Sequence, residues 1–108
     1  MIDFADFTKL DIRVGTIVEA IRHPHASKPA FVLSIDFGPL GNRTSSAQIT
    51  EGYAAQDLVG MQVTAVVNFP PKRIAGVKSE VLVLASVSEQ GTVLLTTTHP
   101  VPNGSRVA

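Results

Sequence analysis

Apolar residues in this chain recur at every second position, a period that belongs to strands and not to helices. Phe31, Leu33, Ile35 and Phe37 form one such row, with Ser34 and Asp36 on the opposite side. Before them, Leu10 to Ile21 reads as a long half-buried strand. Ile12, Val14, Val18 and Ala20 share one face, and Arg13 and Glu19 lie on the other. Gly15 sits inside that strand, where a glycine marks a bulge or a sharp bend. His23-Pro24-His25 ends it. Gly38 to Asn42 is turn chemistry, and Thr44 to Thr50 is a third, more polar strand. Met61 to Asn68 alternates again through Val63, Ala65 and Val67. Val81 to Val87 is apolar on both sides, the pattern of a central strand or of one covered by a partner. Gln90-Gly91 then turns the chain into a last strand, Thr92 to Thr97.

Two segments break the period. At the start, Asp3 can cap a short helix, Asp6 completes a capping-box pattern, and Ile2 can staple onto Phe7. Phe4 and Phe7 share a face of that turn, so the element is expected to dock on something. Ala54 to Leu58 suits a second short helix, with Gly60 as its C-terminal cap. The tail from Pro100 to Ala108 carries two prolines and Asn103-Gly104, which reads as an extended arm. Together these predict an all-β chain: a five-stranded OB-fold Greek-key barrel with a short N-terminal helix, a short helix between strands 3 and 4, and an extended C-terminal arm. A closed barrel also removes the edges that so many β-branched residues would otherwise expose. The chain's 108 residues are enough for one domain, residues 1–108, with its own core.

Several chemistries find no support in the residues. There is no cysteine, so neither a disulfide framework nor thiolate chemistry is available. No Gly-x-Ser-x-Gly elbow, glycine-rich phosphate loop or dinucleotide fingerprint occurs. The nine carboxylates are scattered, and no spacing selects an acid–base pair. His23 and His25 would point apart in an extended segment and His99 stands alone, whereas a metal site needs three or four converging ligands. They read as solvated turn histidines, with no metal and no cofactor, and nothing points to an enzyme. The first residues lack the basic and apolar regions of a signal peptide. No apolar run approaches the ~20 residues that cross a bilayer. A cytoplasmic protein without membrane insertion is expected.

Nine acids balance nine bases, so any polyanion site has to be local. The stretch from Asn68 to Ser79, "NFPPKRIAGVKS", holds three of the nine cations, Lys72, Arg73 and Lys78. No acid lies between Asp57 and Glu80. On an OB barrel such a loop sits at the rim, where cations meet phosphates and Asn68 and Ser79 add hydrogen bonds. The alternative is a solvated charged face. Phe69, Pro70 and Pro71 also have two readings: a rigid hinge at a strand end, or part of an exposed apolar patch for a peptide or a second subunit. Phe31 and Tyr53 read as core.

"FTKLDIRVGTIVEA" (Phe7 to Ala20), "HPHASKPA" (His23 to Ala30) and "VNFPPKRIAGVKSEVLVLA" (Val67 to Ala85), in this order, resemble the tRNA-binding domain family. That family includes the appended C-terminal domains of some methionyl-tRNA synthetases. Where it usually has Ser-Glu-Gly-Met after the basic loop, this chain has Ser79-Glu80-Val81-Leu82, and Pro29 follows Lys28 in place of leucine. "DFGPLG", "SSAQITE", "VVNFPPKRIAG", "SEVLVLA" and "VPNGSRV" are similar to the CsaA-type chaperones, stand-alone OB-fold homodimers linked to protein export. The resemblance implies tRNA contacts at Lys28, Asn68, Lys72, Arg73, Lys78 and Ser79. It implies unfolded or export-bound polypeptides as partners, held near Phe69, Pro70 and Pro71. It also implies a homodimer, for which Ile2, Phe4 and Phe7 with Val101 and Val107 offer the apolar surface.

Overall fold

The structure is a computed structural model that describes residues 1–49 and 51–108. A short helix, α1 (Phe4–Phe7), precedes a long strand, β1 (Ile12–Arg22). β2 (Phe31–Asp36) follows, then a 3-10 turn (Gly38–Leu40), β3 (Asn42–Ala47) and the short helix α2 (Ala55–Leu58). Beyond it come β4 (Gln62–Val66), β5 (Lys72–Ile74), β6 (Val77–Ser79), β7 (Leu82–Val83), β8 (Ala85–Ser88) and β9 (Gly91–Leu94). Five strands form one antiparallel sheet in the order β3-β2-β1-β4-β7, while β5-β6 and β8-β9 are separate hairpins. The sheet curls until its edges nearly meet. Glu80 N–H donates to Thr44 C=O at 2.7 Å, Thr44 N–H donates to Glu80 Oε1 at 3.1 Å, and Ser46 N–H donates to Ser79 Oγ at 3.1 Å. The result is the expected all-β, OB-like, nearly closed five-stranded barrel with its short helices and extended C-terminal arm.

The core follows the alternation where it is cleanest. Phe31, Leu33, Ile35 and Phe37 are all buried inside, against Ile17, Ala20, Val63, Ala65, Leu58 and Leu94. Tyr53 packs on this cluster, and its hydroxyl accepts the Leu94 N–H at 3.1 Å.

β1 departs from the single face expected for it. Its pairing with β2 shifts register between Ile17 and Glu19, which marks a bulge. An extra residue in one strand reverses which side chains face inward. Before the bulge, Gly15 and Ile17 face the core; after it, Ala20 does. Val18 is therefore 44% exposed, and Ile12 and Val14 are buried outside the main core cluster. Gly15 is not itself the bulge. A Cβ there would lie 2.6 Å from Ile35 Cγ2 and 2.8 Å from the Phe37 ring, so the glycine makes room for core side chains.

Three further expectations change. Val81 to Val87 is not one central strand: β7 is two residues long, the chain then leaves the sheet, and Val87 on β8 is 79% exposed. The last strand is shorter than Thr92 to Thr97, since β9 ends at Leu94. The third strand starts earlier and ends at Ala47; Ile49 is buried beyond it, and Thr50 lies outside the described residues. At the N-terminus the Asp6 carboxylate accepts the Asp3 N–H at 3.1 Å, as a capping box requires. Ile2, however, remains 74% exposed, and the aromatic neighbour of Phe7 is Phe4, at 6.1 Å between ring centres. Gly60 takes a positive φ of 95° after α2, and its N–H donates to Ile17 C=O at 2.8 Å. The arm runs beside the first half of β1 through Val14 N–H to Ser105 C=O, Gly104 N–H to Val14 C=O and Val107 N–H to Ile12 C=O.

Gly15→Ala is expected to destabilise the fold by about 1–3 kcal/mol, the range for overpacking a filled core. Val18→Thr, on the exposed side of the bulge, should change it by less than about 0.5 kcal/mol. Urea denaturation of both variants checks the inside–outside assignment of β1.

Candidate functional site

The basic segment is a hairpin, not an irregular loop. Lys72 pairs with Ser79, Arg73 with Lys78 and Ile74 with Val77. The turn between them is Ala75-Gly76, with φ of 47° and 87°. Two successive left-handed residues match the twist of a two-residue hairpin, and glycine takes the second at no steric cost. Pro70 and Pro71 lie just before β5, where a missing N–H costs no ladder bond.

Alternation divides the hairpin into two faces. Lys72, Ile74, Val77 and Ser79 share one; Arg73 and Lys78 share the other. Arg73 and Lys78 stand directly opposite each other and both are exposed. Like charges in that relation oppose folding. The Arg73 guanidinium also donates to Gly76 C=O at 2.9 Å, which holds it near the turn.

The other face forms one wall of a groove of about 320 Å³. Phe69, Pro70, Ile74, Val81 and Leu82 give it an apolar lining, and Lys72 and Glu80 add one charge of each sign. Phe69 and Leu82 are exposed although large and apolar. Two of the residues expected to hold peptide, Phe69 and Pro70, thus meet Lys72 in a single depression. Pro71 is exposed and does not line it.

The other expected contact residues divide by role. Ser79 is buried, and its hydroxyl accepts the Ser46 N–H that helps close the barrel. The Asn68 side chain accepts the Asp11 N–H at 2.9 Å and donates to Lys9 C=O at 2.8 Å, tying the segment after β4 to the start of β1. Lys28 lines a different depression, with Pro29, Gln48, Glu51 and Thr92. The exposed cations Lys72, Arg73 and Lys78 are the ones the hairpin gathers. Leu82, Val81, Ile74 and Glu80 complete the groove. They escape sequence reading because only the barrel closure brings Val81 and Leu82 beside Phe69.

His23 also departs from its sequence reading. It is only 7% exposed, not a solvated turn residue, and its Nε2 lies 2.8 Å from Ile74 C=O on the hairpin. Among the described residues no three His, Cys, Asp or Glu side chains come together as a metal site. No described helix is long and apolar enough to cross a membrane.

At the opposite end of the sequence, Phe4, Phe7, Thr8 and Leu10 meet Arg106, Val107 and Ala108 around a depression of about 150 Å³. Phe4 is 78% exposed. Val101 lies elsewhere: its N–H donates to Gln62 Oε1 at 3.0 Å and its C=O accepts from Gln62 Nε2 at 2.7 Å.

A barrel of this kind with a basic hairpin at its rim has relatives. Residues 12–106 match the family model described as "Putative tRNA binding domain". The chain belongs to the tRNA-binding domain family. Its structure superposes on the crystal structure of the chaperone CsaA from Bacillus anthracis with a TM-score of 0.95, at 51% identity, covering 100% of this chain and 99% of that one. The CsaA chaperone protein from Picrophilus torridus gives a TM-score of 0.94 at 48% identity, with both chains fully covered. The chain is a homologue of CsaA-type chaperones. It is also 42% identical over 92 residues to the methionine–tRNA ligase of Porphyromonas gingivalis, of which the match covers 13%. The chain thus spans only a small part of the ligases it resembles. The matched family model describes a tRNA-binding domain, and the two matched structures are chaperones.

Ser79→Ala removes the acceptor of the Ser46 N–H and is expected to cost about 1–2 kcal/mol of stability. Chemical denaturation measures it. Removing the Lys72 charge should leave the unfolding free energy within about 0.5 kcal/mol of wild type, since that side chain is exposed.

Proposed function

We propose that this chain is a CsaA-like chaperone that holds unfolded or export-bound polypeptides reversibly, as a cytoplasmic homodimer, without hydrolysing nucleotide. The observation that carries this reading is the groove between the hairpin and the barrel. Phe69, Pro70, Ile74, Val81 and Leu82 line it, and Lys72 and Glu80 add charge. An apolar lining with few polar groups suits side chains of an extended segment. The two charges favour segments that carry compensating ones. The 51% identity to the Bacillus anthracis chaperone supports the same reading.

A second ligand is favoured by the opposed pair Arg73 and Lys78. Their mutual repulsion opposes folding, and a phosphate between them would relieve it. We infer that tRNA binds on this outer face of the hairpin, while polypeptide enters the groove behind it. The residues for the two partners are then separable: Arg73 and Lys78 for tRNA, Phe69 and Pro70 for polypeptide. Asn68 and Ser79 support the site through their hydrogen bonds within the fold. Lys28, in its own depression, would extend a tRNA footprint and leave the groove untouched.

The homodimer is supported by the exposed N-terminal cluster. Ile2 and Phe4 stand open to solvent, and Phe4 joins Phe7, Leu10 and Val107 around a depression. A two-fold axis near α1 would cover this surface on both copies at once. Val101, held by Gln62, lies apart from that surface and is not needed for it.

Lys78→Thr is expected to raise stability by about 0.2–0.5 kcal/mol by removing the repulsion with Arg73. The same change should reduce the slope of log affinity for tRNA against log salt by about 0.7–0.9. Phe69→Ser should weaken capture of a denatured client and leave that slope unchanged. A salt-titrated tRNA-binding assay and a client-aggregation assay on the same variants check both. If neither tRNA nor client binds wild-type protein, the reading fails. Phe4→Asp should convert a dimer to monomers in sedimentation equilibrium.

A further inference from the structure

His23 does not itself line the groove, yet it is buried and bonded to the backbone of Ile74, a residue that does. Its N–H donates to Ala30 C=O at 2.9 Å, closing the loop between β1 and β2. Its ring lies between two backbone groups: Nδ1 is 3.4 Å from His25 N–H, and Nε2 is 2.8 Å from Ile74 C=O. A backbone N–H only donates and a carbonyl only accepts. Nδ1 must therefore offer its lone pair and Nε2 must carry the hydrogen, which selects one tautomer of the neutral ring.

The placement of Ile74 gives this bond its consequence. Ile74 is the last residue of β5, immediately before the Ala75-Gly76 turn. Its side chain lines the groove, while its carbonyl is held by His23. Ser79 ties the opposite end of the hairpin to β3. One anchor at the base leaves a short two-stranded hairpin free to swing, since isolated hairpins are marginal in water. The second anchor, near the tip, removes that freedom.

We propose that His23 is a positioning residue for the ligand site: by bonding the Ile74 carbonyl it sets the hairpin's distance from the barrel, and with it the width of the groove. It acts through Ile74 and not by contact with ligand. The inference rests on the groove being the polypeptide site. Closing the groove to a defined width before a ligand arrives reduces the ordering that binding would otherwise require.

Two substitutions separate this role from simple packing. The Gln amide nitrogen reaches as far as imidazole Nε2, whereas the Asn nitrogen corresponds to Nδ1 and stops short of Ile74. His23→Gln is expected to bind a fluorescein-labelled, reduced and carboxymethylated polypeptide within about twofold of wild type. His23→Asn should bind it roughly tenfold more weakly, the scale of one lost hydrogen bond. Without ligand, His23→Asn should speed amide exchange at Val77 by roughly tenfold while β1 and β2 amides stay protected. In wild type, imidazole 15N shifts should report the Nε2–H tautomer. Equal binding by all three proteins, or equal loss in both variants, overturns the proposal. So does exchange at Val77 that His23→Asn leaves unchanged. If wild type captures no polypeptide, the groove reading fails, and the exchange measurement by itself decides whether His23 pins the hairpin.

Discussion

Everything distinctive about this barrel hangs on how it closes. β3 ends one side of the sheet, and the facing strand β7 is two residues long, too short to satisfy that edge with its own backbone. Ser79 and Glu80, which lie just ahead of Val81 and β7, bond to that edge instead. Glu80 supplies its backbone N–H and its carboxylate to Thr44, and Ser79 supplies its hydroxyl to Ser46. One backbone bond and two side-chain bonds thus stand in for a regular ladder at this edge. The segment between β4 and the closure is therefore free to project as the β5-β6 hairpin. A groove remains between that hairpin and the barrel, lined by Phe69, Pro70, Ile74, Val81 and Leu82.

The core imposes a matching constraint from within. Phe37 and Ile35 fill the space where a Gly15 side chain would be, which lets β1 lie close over them. The bulge at Val18 then turns the second half of β1 toward β2, while its first half stays with β4 and the C-terminal arm. One strand thus serves two parts of the barrel wall. The loop that follows, beginning at His23, is brought against the tip of the hairpin. The two rim segments that flank an OB-type binding face are in this way bonded to each other.

Much of this was legible in the residues, for reasons that can be named. β2 was clear because every second residue from Phe31 to Phe37 is large and apolar, and burial on one face is what that pattern means. The hairpin cations were clear as a cluster because acids are absent around them. The phase of β1 was hidden, since a bulge inserts one residue without any obligatory sequence mark. Val81 to Val87 was misleading because an apolar run reads alike whether a strand is buried on two sides or leaves the sheet half-way. Asn68 and Ser79 stand out in the sequence as polar residues close to cations; their hydrogen bonds to Lys9, Asp11 and Ser46 could not be read there, because those partners are 33 to 59 residues away.

The sequence by itself determined the class of fold, the family, and which residues carry charge or apolar surface. Those follow from local period, turn chemistry and motifs, all properties of neighbouring residues. Only the tertiary structure decided which face of the hairpin each cation occupies, that Val81 and Leu82 join Phe69 in one groove, and that His23 reaches Ile74 across 51 residues. Such contacts depend on how the barrel closes and where its first strand bulges. Both are set by the simultaneous fit of distant segments, which no short stretch of sequence contains.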